Sequence, residues 1–141
     1  MIIRMQEDRD CLVAALATAK QVSWEQAAEL IGHRNLRSIF TSLIYSTHWK
    51  LRSVLKKHNI PYREVSEMHE FVPGRTIVLT HETGNFLTRL FVKHWVVYMG
   101  EADDGRMLFA WGDSSNMTVV SRARLTELFY DAWPTCAFIL T

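Results

Sequence analysis

An α+β fold follows from the order in which two hydrophobic periods run through the 141 residues. Up to about residue 59 the apolar residues recur at helical spacing, with capping residues between the segments. From residue 75 onward the segments are short, β-branched and aromatic, and Gly- and Asp-containing turns separate them. Helices first and strands afterwards predict an antiparallel sheet with helices packed on it. No internal repeat, linker or low-complexity stretch divides the chain, so residues 1–141 are expected to form a single domain.

The elements follow in order. Residues 2–5 read as a short strand or an extended lead-in. Cys11 to about Lys20 is helical by composition, and Leu12, Ala15, Leu16 and Ala19 make one apolar stripe. Ser23 is an N-cap with Gln26 in the capping-box position, so a helix runs from Trp24 to Ile31 and stops at Gly32. Arg37 to Tyr45 reads as a short helix. Thr47 caps another, Trp49 to His58, with Leu51, Val54 and Leu55 on one face and Asn59 at its end. Ile60 to Val65 is extended. Strands are expected at Arg75–Thr80, Phe91–Met99 and Arg106–Trp111, the last two forming an antiparallel hairpin about Asp104-Gly105. Met117 to Val120 adds a brief strand, Ser121 caps a helix to about Tyr130, and Cys136 to Leu140 is a final apolar strand.

Composition removes several classes of function. Sixteen Lys and Arg balance 15 Asp and Glu, a formal net charge of +1. That balance supplies no general attraction to nucleic acid or to an anionic membrane. The region from Arg34 to Arg63 is locally basic, but such charges ordinarily form the solvated side of amphipathic helices. No apolar run has the length of a spanning helix, and the N-terminus lacks the layout of a signal peptide. A cytoplasmic location is therefore expected. Two cysteines, Cys11 and Cys136, lack zinc-type spacing, and a reducing compartment argues against a bridge between them. His69-Glu70 and His81-Glu82 have no second His at zinc-protease spacing, and no phosphate or dinucleotide loop is present. Neither a metal nor a cofactor is expected.

One constellation carries chemistry. The polar run Gln6-Glu7-Asp8-Arg9-Asp10 ends at Cys11, and Cys11 opens the first helix. The first N–H groups of a helix lack intrahelical acceptors and carry partial positive charge, which favours a thiolate. A side-chain amide at Gln6 suits an oxyanion forming at the same place. Of six histidines, only His94 lies inside a strand, in Lys93-His94-Trp95-Val96-Val97-Tyr98. There His94, Val96 and Tyr98 share one face, and Trp95 and Val97 the other. Asp113 follows the returning strand, at the same end of the hairpin as His94. A carboxylate there can fix the imidazole tautomer while the other ring nitrogen serves the thiol.

The order Gln, Cys, His, Asp resembles the papain-like cysteine peptidases, and within them the bacteriocin-processing (double-glycine leader) peptidases and their free-standing relatives. Gln6, Asp10 and Cys11 match the opening pattern, His94-Trp95-Val96-Val97 the histidine strand, and Asp113 the carboxylate one hairpin on. Two positions depart from it: Leu12 stands where the family has Gly, and Ser114 where it has Pro. The resemblance covers essentially the whole chain. It implies a papain-like fold and cleavage of a peptide or protein substrate, a Gly-rich site being one form of it, with Cys11 as nucleophile, His94 as base and acid, Asp113 as its orienter and Gln6 as oxyanion donor.

Blander readings stand beside each residue. A lone cysteine in an alanine-rich helix also serves as a small buried hydrophobe. His94 also suits a structural role, Asp113 a turn, Gln6 a solvated loop, and Cys136 the core. An alternative from a different class keeps the fold and retires the site, leaving a module that binds a partner, such as a host protein inhibited by a phage or mobile-element protein.

Overall fold

The computed structural model describes residues 2–5, 11–32, 48–81, 93–110, 118–121 and 137–141; at 48, 49, 81, 93 and 94 it describes the backbone. The expected helices at Arg37–Tyr45 and after Ser121 lie outside these residues, as do Thr47, the loop at 112–116 and Cys136.

Three helices come first. Helix α1 is Cys11–Lys20, α2 is Trp24–Ile31 and α3 is His48–Lys57. A capping box starts α2: the Ser23 hydroxyl accepts from the Gln26 N–H, and the Gln26 side chain accepts from the Ser23 N–H. Gly32 ends that helix in the left-handed conformation. Helix α3 ends as a Schellman motif, with Asn59 at φ +53°, Asn59 N–H on the Lys56 carbonyl and Ile60 N–H on that of Leu55. Helix α1 ends in the same way through Gln21, at φ +57°, and Val22, whose N–H reaches the Ala17 carbonyl.

The strands are β1 (Tyr62–Val65), β2 (Thr76–His81), β3 (Lys93–Glu101), β4 (Met107–Ala110), β5 (Thr118–Val120) and β6 (Ala137–Leu140), with a 3-10 turn at Met68–Glu70. They form one sheet in the order β1-β6-β2-β3-β4-β5, antiparallel at every described pairing. Helices followed by an antiparallel sheet make the chain α+β, as its two hydrophobic periods predict.

Both faces of the sheet are buried. On one face Ile77, Leu79, Trp95, Val97, Phe138 and Leu140 join a core with α1, α2 and α3. On the other, Val78, Val96, Tyr98, Phe109 and Ile139 pack with Met68 and Phe71. That accounts for the unbroken apolar run Trp95 to Val97, where a half-exposed strand would alternate. Helix α1 likewise differs from its expected single stripe, because every residue from Cys11 to Ala19 is buried. The lead-in residues Ile2, Ile3 and Met5, helix α2 and strands β2 and β3 pack around it, and its alanines allow their close approach.

The β3–β4 hairpin turns differently from its expected centre at Asp104-Gly105. Gly105 N–H bonds the Ala102 carbonyl and Ala102 N–H that of Arg106, so Asp103 and Asp104 are the central pair. Gly105 follows at φ +83°, the left-handed position that three-residue hairpin loops require. Before the turn, β3 carries a bulge: Gly100 pairs with Leu108, but Tyr98 pairs with Phe109. Gly100 takes φ +129° there, and the Tyr98 carbonyl accepts from Gly74 N–H at 2.7 Å.

Candidate active site

Cys11 is the first residue of α1, a free thiol 7% exposed at the margin of the core. Its neighbour Leu12 is 3% exposed and belongs to that core. The bulk of Leu12 is thus turned into the interior and packs there. The first turn of α1 contains no acidic residue.

Helix α1 packs on β3 and, less extensively, on β2. His94 is the second residue of β3, in register with Thr80 of β2, which is itself buried. The described residues keep the expected alternation: Trp95 and Val97 lie in the core that contains α1, Val96 and Tyr98 in the other. Position 94 has the parity of Val96 and Tyr98, the face away from α1.

Asp113 lies outside the described residues, as do Gln6 and Asp10.

Thr18 is a residue that the sequence reading did not single out. It is 1% exposed, and its hydroxyl accepts the Ile3 N–H at 2.9 Å and donates to the Ile3 carbonyl at 3.3 Å. One hydroxyl thereby ties the lead-in to the C-terminal half of α1. The available signal was a polar residue inside an otherwise apolar helical run.

Elsewhere, α3 presents Lys56 and Lys57 to solvent, whereas Arg52 is paired with Glu64 of β1. The Arg52 Nε and Nη2 both donate to Glu64 Oε1, at 3.0 and 2.6 Å. Lys50 has its pKa lowered, first by burial and then by the nearby Lys57 charge. Among the described residues no three His, Cys, Asp or Glu side chains gather as metal ligands would, and no helix is long and apolar enough to cross a membrane. The sequence matches no protein-family model and no curated protein.

Proposed function

We propose that the protein is a papain-like cysteine peptidase or amide hydrolase acting on a peptide or protein. The observation that carries the reading is the position of Cys11, which opens a buried helix packed on the strand that bears His94. In this mechanism the Cys11 thiolate attacks the substrate carbonyl carbon, and the oxyanion is held by Gln6 and the Cys11 N–H. His94 protonates the leaving amine and then activates water for deacylation, with Asp113 orienting its ring. The substrate is a peptide, Gly-rich in the form the family resemblance suggests. A reducing cytoplasm would keep the nucleophile as a thiol.

A second reading is favoured by two specific observations. Cys11 is nearly enclosed in an apolar cluster, and position 94 has the parity of the face away from α1. Both fit a peptidase fold whose site is retired and which binds a protein partner without cutting it.

The pH dependence of Cys11 alkylation by iodoacetamide separates the two. A working pair gives an apparent pKa well below the free-thiol value of about 8.5, rising when His94→Ala removes the imidazole. A Cys11 that reacts slowly and is indifferent to His94 overturns the peptidase reading in favour of the binding module.

A further inference from the structure

We infer that β5 is the edge by which the protein pairs with a second copy of itself, in antiparallel register about Val119. The inference does not depend on the peptidase reading.

Among the described strands β5 has β4 as its one neighbour and forms one margin of the sheet, while β1 forms the other. Val119 is 45% exposed, and Val72 is the other large hydrophobic residue that stands exposed among the described ones. Thr118, of the opposite face, is exposed as well.

The β3–β4 hairpin fixes which backbone groups of β5 point outward. Ala102 N–H bonds the Arg106 carbonyl at 2.8 Å, so Arg106 turns its polar groups toward β3. Backbone groups alternate sides along a strand. Leu108 therefore also turns toward β3, and Met107 and Phe109 turn toward β5. Their register partners there are Val120 and Thr118, which leaves Val119, opposite Leu108, with its N–H and carbonyl directed away from the sheet.

Two copies joined edge to edge by a two-fold axis keep their sheet faces, so a residue can oppose only residues of its own face. In β5 this sets Val119 against Val119 of the second copy and Thr118 against Val120. The central pair is then the kind that exchanges both N–H···O=C bonds, with an apolar side chain on each side of the axis. The margin at β1 does not admit the same arrangement. Its central registers would oppose Arg63 to Arg63 or Glu64 to Glu64, and like charges directly opposite are destabilising. Glu64 is moreover held by Arg52. Charge thus guards one edge in the usual way and is missing from the described residues of the other. Three residues bury little area, so the association is weak, with a Kd above about 1 μM.

The test is sedimentation velocity across a concentration series up to about 1 mM, on the parent, Val119→Lys, Val119→Pro, Val119→Thr and Arg63→Glu. The parent's weight-average mass is expected to rise from one chain toward two. Val119→Lys opposes like charges across the axis, and Val119→Pro removes both donors of the central pair. Each should weaken association by about tenfold or more. Neither removes a bond between β5 and β4, so the urea midpoint should stay near the parent value. Val119→Thr keeps the branched side chain and the donor, and Arg63→Glu alters the other edge; both should associate within a few-fold of the parent. If the lysine and proline variants do not fold, exchange of the Val119 amide in the parent decides, and protection that grows with protein concentration upholds the pairing. A parent that remains one chain throughout, or an association that survives Val119→Lys and Val119→Pro, overturns it. A Val119 amide equally protected at every concentration also overturns it, and assigns the edge to a segment of the same chain.

Discussion

Lys50 and Lys57 show how charge is arranged on α3. Burial is the larger cause of the lowered Lys50 pKa and the Lys57 charge the smaller. Lys57→Gln is therefore expected to raise the Lys50 pKa only part of the way to 10.5, as an NMR titration of the lysine side chains would record. The sign for stability follows from linkage. Folded Lys50 binds its proton more weakly than unfolded Lys50, so the fold gains stability as pH rises from the folded pKa toward the unfolded one. Asp104 is the opposite case. The Arg106 N–H is the main cause of its lowered pKa, assisted by the Arg106 guanidinium at 2.6 Å. Its contribution is present above the unfolded pKa and is lost as pH falls through the folded one. At this scale Cys11 was legible because a polar run followed by an apolar helix marks a helix start locally. Thr18 was not, because a hydroxyl within a helix takes its meaning from a residue fifteen positions away.

Elements were legible wherever their ends are written in neighbouring residues. Ser23 and Gln26 predict the start of α2, and the capping box is formed in full. Ser23→Ala removes the acceptor for the Gln26 N–H and is expected to cost about 1 kcal/mol, measured by urea denaturation at constant m. Gly32 and Asn59 end their helices for equally local reasons. The hairpin was harder to read. Its existence follows from two apolar runs and a Gly-containing turn, but the central pair and the bulge depend on how two strands align. No residue of β4 alone records that alignment. Gly100→Ala is expected to destabilise the protein by about 1–3 kcal/mol. The cause is backbone conformation at φ +129°, because an added Cβ would meet Pro73 only at an ordinary 3.9 Å. If the substitution also shifts the bulge, hydrogen exchange at β3 and β4 amides should quicken before the rest of the sheet opens.

The sheet as a whole is organised around β6. Phe138 is fully buried, with its ring 5.9 Å from that of Tyr62 and 6.2 Å from that of Trp95. It thus connects β1, β3 and the helical core, and Phe138→Ala is expected to cost about 3–5 kcal/mol, seen as a lowered urea midpoint. The two-layered core was legible only in part. Helices on a sheet follow from the two periods, whereas burial of the second face requires knowing that Met68 and Phe71 return to pack there. The strand order has a consequence for synthesis. Among the described strands β6 is translated last, yet it lies between β1 and β2. While a ribosome is still making residues 137–140, β1 has emerged without its described partner and β2 with one side unpaired. The helices and the β3–β4 hairpin can form as they appear, but the sheet closes only when its latest strand threads into place. A nascent chain stalled before residue 137 would present two open strand edges to whatever chaperone waits at the tunnel.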